Sequence, residues 1–324
     1  MKKIIILCLL LVSSVITHAE MKIGDSTTIF FAAVEIGQKI LTTNDDYIQR
    51  LSQFDRSAKM KSDKEITEEE FLKHLSSNVI AWDESEQQLL DSIFTSVKVE
   101  LDTYASLFPE KIYLIKTTGE EEGGAEYTRS NGIVFAQNTL TAEPDMLKRI
   151  LCHELFHVLT RKNPQLQEKL FAMIGFYPCN EIIFPDELIN RKITNPDAPK
   201  NNHWIELDVN GKKIKTIPIL FSTIEKYDTQ LGGEFFEYMD LQFLELETGD
   251  DSTTLKAKTL DGSAKFVDMS QATGFFEQIG YNTNYILHPE EILAENFAML
   301  ILQPSEIPSP ELIDSMRKVL ANKM

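Results

Sequence analysis

The sequence predicts an α+β fold: a small sheet packed on long amphipathic helices, with a partly β region inserted before the chain returns to helix. Two strand-like runs, 111–117 and 133–140, stand directly before a strongly periodic helix at 144–162. Asn210-Gly211 and Asp261-Gly262, each between strand-like runs, mark hairpins further on. Helical periodicity then resumes at 289–302 and again after Ser309.

Taken in order, residues 1–19 open with Lys2 and Lys3, continue as an apolar run from Ile4 to Ile16, and close on Thr17-His18-Ala19. That pattern predicts a secretory signal peptide cut after Ala19, since the run is too short to span a bilayer well. Residues 20–84 read as mostly helical, with the charge run "DKEITEEEF" (63–71) as a solvated helix face or helix start. The unit 85–180 begins with a helix in which Leu89, Leu90, Ile93, Phe94, Val97 and Leu101 recur at three- and four-residue spacings, up to Phe108-Pro109. The two strands follow, either side of a polar, glycine-containing loop at 120–132. Pro144 then suits a helix's first turn, and Asp145 its positive end. Leu147, Ile150, Leu151, Leu155, Val158 and Leu159 give that helix an apolar face, Arg161 and Lys162 fill its last turn, and Pro164 stops it. Residues 181–270 form the inserted hairpin region, and 271–324 the C-terminal helical part. There Pro289 starts one helix, and Ser309 with Pro310 starts the last.

Composition narrows the function classes. The 324 residues are 43% hydrophobic and 25% charged, ordinary for a folded protein, but the formal net charge is −18. Such a surface repels nucleic acid and anionic membranes, so neither is an expected partner once the signal is removed. Only Cys152 and Cys179 lie beyond the signal, too few for a disulfide scaffold; they read as small apolar side chains. No glycine-rich phosphate loop and no serine or cysteine nucleophile motif occurs.

The chemistry concentrates in "CHELFHV" (152–158). Residues four apart on a helix project from one face, so His153 and His157 can place two imidazole nitrogens on one metal ion. Zinc accepts such ligands, catalytic sites keep one position for water, and the bound ion lowers that water's pKa towards neutrality. Glu154 stands close enough to take the water's proton. Six histidines in 324 residues give this pattern by chance on the order of 1% of the time, and its place mid-helix among apolar residues weakens chance further.

A third protein ligand is missing nearby. Thr160 and Asn163 stand where the elongated metzincin motif has glycine and histidine, and Glu168, Glu181, Asp186, Glu187 and His203 have no convincing helical frame. In "HPEEILAENFAML" (288–300), Glu291 and Glu295 lie four apart on a helix whose other residues call for burial. Two carboxylates there make sense if one meets a cation and the other hydrogen-bonds a metal-bound histidine.

"HELFH" followed by a downstream E-x-x-A-E helix resembles the gluzincin metallopeptidases, the thermolysin- and neprilysin-like group, over roughly 85–175 and 275–302. The resemblance implies a zincin-like catalytic core, one zinc ion, Glu291 as third ligand and Glu295 orienting a histidine. Glu295 stands where aspartate is more usual, and the 133 residues between His157 and Glu291 exceed the gap in thermolysin-like enzymes. "AENFA" also resembles an aminopeptidase pattern, which would make Glu295 the ligand. The same resemblance makes strand 133–140 the sheet edge that pairs with substrate, and calls for an oxyanion-stabilising Tyr or His. Tyr285, His288 and His203 are the candidates, with Tyr281 close by, although core packing or helix capping also accounts for each. The expected function is an exported zinc metallopeptidase acting on peptide or protein substrates with Glu154 as general base. The alternatives are a zinc hydrolase of non-peptide amides or esters, and a non-catalytic binding protein on the same scaffold.

Overall fold

The structure is a computed structural model and describes residues 21–249 and 253–321; the expected signal peptide lies outside them. Strands β1 (Met21–Ile23) and β2 (Thr27–Phe31) lead into helices α1 (Val34–Leu41), α2 (Gln53–Lys59) and α3 (Glu68–Asn78). Then come β3 (Val79–Ile80), α4 (Glu84–Asp102), β4 (Lys111–Thr117), β5 (Tyr127–Arg129) and β6 (Gly132–Ala136). Helices α2, α3 and α4 each start on a capping box, Ser52 with Asp55, Thr67 with Glu70 and Asp83 with Glu86, which satisfies backbone donors at the first turn. Two long helices follow, α5 (Pro144–Lys162) and α6 (Pro164–Met173).

The first sheet runs in the order β1-β2-β4-β6-β5, with β3 beside the end of β4. Strands β2, β4 and β6 are parallel, and β1 and β5 are antiparallel edges. Side chains alternate across a strand, so its two faces bury different residues. Ile112, Leu114, Ile133 and Phe135 pack with α4 and α5, whereas Ile115 and Val134 pack with Leu41, Phe71 and Leu75 of α1 and α3. Both faces are covered, which explains why β6 is buried along its whole length. Gly37 lets α1 approach the sheet; a Cβ there would stand 2.9 Å from both Ile115 and Val79.

The insert builds a separate antiparallel sheet. It contains β7 (Phe176–Pro178), the short helix α7 (Asp186–Ile189), β8 (His203–Val209), β9 (Lys212–Ser222), β10 (Met239–Thr248) and β11 (Leu255–Ala257). After these come β12 (Thr259–Leu260), β13 (Ser263–Ala264), β14 (Phe266–Val267) and β15 (Ala272–Thr273). The main order is β11-β10-β9-β8-β15, with β14 on β10, β7 on β8, and β12-β13 as a two-stranded hairpin. Asn210-Gly211 joins β8 to β9 and Asp261-Gly262 joins β12 to β13, all four residues at positive φ, as such two-residue turns require. Helices α8 (Phe276–Ile279), α9 (Pro289–Leu302) and α10 (Pro310–Ala321) complete the chain and bring the described helices to ten in a mixed α+β fold. Both described cysteines are free, and Cys152 is fully buried.

Four expectations are corrected. The strand at 133–140 ends at Ala136, and a 3-10 turn occupies Thr139–Thr141. It is also not the sheet edge: β5, three residues inside the expected polar loop, pairs outside it. The 20–84 region is less helical than expected, because β1 and β2 join the first sheet. Ser309 starts the last helix, but its hydroxyl accepts from the Tyr281 backbone N–H at 3.0 Å.

Candidate metal centre

Helix α5 runs through the core between the first sheet and α9, buried from Leu151 to Thr160 except for part of His153. Helix α9 has no solvated face over Pro289–Ala298, yet Glu290, Glu291 and Glu295 are among its buried residues. A buried carboxylate is costly without partners, and all three find them on α5. Pro289 begins α9, and the His288 side chain caps it, Nδ1 accepting from the Glu290 N–H at 3.1 Å.

The two histidines are held alike. Nδ1 of His153 lies 2.9 Å from Glu295 Oε1, and Nδ1 of His157 lies 3.1 Å from Glu290 Oε1. That leaves both Nε2 atoms facing Glu291, whose Oε2 is 2.9 Å from His153 Nε2 and 3.7 Å from His157 Nε2. Outer partners brace each carboxylate. Arg149 bonds Glu295, Thr160 and Gln167 bond Glu290, and Asn195 Nδ2 donates to Glu291 Oε1 at 2.6 Å. Glu154 turns towards β5, where Thr128 Oγ1 donates to its Oε2 at 2.7 Å. One ligand atom from each of His153, Glu154 and His157 lies within 4.8 Å of the others, and the same holds for His157, Asp197 and Glu291.

Glu154, Glu290, Glu291, Glu295 and Asp197 gather here around Arg149, Arg161 and a His153 that its two carboxylate partners keep protonated, while burial raises both Glu154 and Asp197. Burial alone would raise Glu291, but His157 and His153 outweigh it and bring its carboxyl down to about 2. Burial likewise works against a charged His153, and the bonds to Glu291 and Glu295 overcome it, holding the imidazole well above its ordinary value. Burial pushes the Glu154 carboxyl up to about 7, against His153 and the Thr128 hydroxyl. His157 Nε2 is buried without a hydrogen-bond partner. Two imidazole nitrogens and a carboxylate oxygen, one nitrogen unpartnered, can hold a metal ion.

The sequence-predicted residues separate into two places. His153, Glu154, His157, Glu291 and Glu295 come together as described, with Glu291 between the two Nε2 atoms and Glu295 on Nδ1 of His153. The Tyr285 ring stands 6.1 Å from that of His153. His288 and His203 line one cavity with His157 but are held by other partners. Burial and His203 push His288 down to about 4, so the neutral ring can accept at the α9 cap. His203 packs on Phe171 and bonds Glu168 and Asn202. Sequence reasoning missed Glu290, Thr128, Asn195 and Asp197. Glu290 shares the apolar helix that singled out its neighbours and could have been found the same way; Asn195 and Asp197 lie in an irregular stretch with no periodic signal. No family model, curated protein or solved structure matches the chain.

Proposed function

We propose that the chain is an exported zinc metallopeptidase. The observation that carries this reading is the convergence of His153 Nε2, His157 Nε2 and Glu291 Oε2 beside the buried carboxylate of Glu154. Two nitrogens and one oxygen from protein, with a position left open, is the donor set that suits catalytic zinc. Bound zinc would polarise a carbonyl and lower the pKa of its water.

The chain's own residues do the rest. His153, His157 and Glu291 hold the ion, and Glu295 and Glu290 fix the two imidazoles with Nε2 inward. Glu154 takes the proton of the attacking water and passes it to the leaving amine. Thr128 holds Glu154 in place from the sheet edge. A peptide pairing with β5 would lie along that edge. Tyr285, beside His153, is the best-placed of the three candidates for oxyanion donor. Export is supported by the charged start and apolar run of residues 1–19.

Metal analysis of purified protein with peptide and ester substrate panels tests the reading. Glu154→Gln should keep full zinc and lose hydrolysis by about 10²–10⁴-fold. Activity surviving that change would remove Glu154 from the mechanism. Hydrolysis of esters but of no peptide would move the enzyme to a different substrate class.

A further inference from the structure

Residues 192–200, "KITNPDAPK", cross the face of the candidate metal centre as irregular chain. Asp197, in the middle of this stretch, belongs to neither α5 nor α9. Its side chain is 7% exposed, and its carboxylate groups with His157 and Glu291 within 4.8 Å. Asp197 Oδ1 also accepts from the Thr128 backbone N–H at 2.7 Å. That N–H belongs to edge strand β5 and is the donor an extended peptide would use. The matching acceptors are occupied too: Arg161 donates to the carbonyls of Thr128 and Ser130, and to that of Asp197 itself. Asn195 bonds Glu291 and accepts from the Asp197 N–H at 2.9 Å.

The segment is tied down at both ends. Ile193 N–H donates to Leu220 on β9, and Thr194 N–H and hydroxyl bond Asp55 and the Arg50 carbonyl. Lys200 pairs with Asp46 at 2.8 Å. Two cavities flank it. One of about 550 Å³ includes His157, His203 and Pro196–Lys200 in its wall; one of about 50 Å³ includes Tyr285 and Ile193–Asp197. Pro196 and Asp197 line both, so this stretch stands between the two cavities.

We propose that residues 192–200 are an autoinhibitory strap, with Asp197 as a carboxylate donor to the metal in the place of substrate. The proposal rests on the metallohydrolase reading and adds its regulation. The folded chain is latent, and substrate enters only when the strap lifts from β5 and Asp197 leaves the ion. The strap competes with substrate for the Thr128 N–H and for the open metal position at once.

The test uses the mature chain with cobalt(II) in place of zinc, titrated with acetohydroxamic acid and followed by the visible cobalt band. If the open form is a minor population, Asp197→Ala should bind acetohydroxamate about tenfold tighter than wild type, because apparent affinity scales with the competent fraction. The cobalt spectrum without ligand should also differ between the two proteins. A second measurement needs no variant: saturating acetohydroxamate should speed amide exchange at Thr128 and across 193–198 of the wild-type cobalt protein. Equal affinity in both proteins, or exchange unchanged by the ligand, overturns the strap and leaves the metal reading standing. A wild type that takes up no cobalt overturns the metal reading, and the strap with it.

Discussion

Two buried clusters of ionisable groups sit on opposite sides of β5, and they differ in one respect. In the first, Lys59 Nζ donates to Glu122 at 2.5 Å and to the Tyr47 hydroxyl at 2.6 Å, with Asp55 4.0 Å away. Tyr47 donates to the other Glu122 oxygen, and Asp55 takes the backbone N–H groups of Ser52 and Thr194. Each of the four groups is satisfied by the protein, and the cluster pins α2 to the 119–124 loop and the 192–194 stretch. In the α5–α9 cluster the carboxylates are bonded, but His157 Nε2 is buried without a hydrogen-bond partner. Self-satisfied polar networks specify structure; a network that leaves a ring nitrogen free beside a second imidazole and a carboxylate offers a place to a cation.

Substitution should split the two regions. Glu122→Ala leaves buried Lys59 without its closest carboxylate, at an expected cost of about 3–5 kcal/mol in urea unfolding with metal content unchanged. Glu291→Ala should instead lose the metal, and because it also strips His153 and Asn195 of a buried partner it should destabilise the metal-free protein too, so metal content is what separates the two substitutions. A Glu291→Ala protein holding stoichiometric zinc would end the distinction.

Acid should expose a second contrast, at the cap of α9. His288 sits near 4 in the folded protein, against an ordinary 6.5, through burial and then the neighbouring His203, with Glu290 and Glu291 pulling the other way. The unfolded chain therefore binds the proton more readily. This contribution is fully present above pH 6.5 and is lost as pH falls through 6.5 towards 4. The loss amounts to about 3 kcal/mol. Metal-free wild type should lose that much more than His288→Asn between pH 7.5 and pH 4, because asparagine keeps a cap acceptor without titrating. Parallel losses would mean that the buried imidazole does not govern the acid limit.

The legibility of the site follows the same division. Helix α5 could be read because its apolar period, its proline start and its basic last turn agree, and His153, Glu154 and His157 ride on that frame. Glu291 and Glu295 could be read because carboxylates on an apolar helix demand an explanation. The α+β class followed from strand, helix and Asn-Gly signals that the structure reproduces. What escaped is short or irregular. Strand β5 has three residues inside a polar loop, so the sheet edge was placed one strand too far in. β1 and β2 have three and five residues, too few for a period to outweigh the helices around them. Asn195 and Asp197 reach the centre only through tertiary contacts of a segment with no repeating pattern.

The finest test lies between the two outer carboxylates. Glu290 and Glu295 do the same work for different histidines, yet their surroundings differ. Glu290 is buried and shares its oxygens with Thr160 and Gln167, whereas Glu295 is shared with Arg149, a half-exposed side chain. Replacing either by glutamine keeps an oxygen that can accept from imidazole Nδ1–H and removes the charge that makes Nε2 a better donor. Both changes should weaken zinc binding, by about 10–100-fold. Glu290→Gln should fall at the stronger end, since its new amide N–H₂ meets the Thr160 and Gln167 donors already aimed at that spot. Glu295→Gln frees Arg149 to turn into solvent, so its loss should be smaller. Competition with a zinc chelator ranks the two, and a larger loss for Glu295→Gln would make His153 the histidine whose orientation matters more.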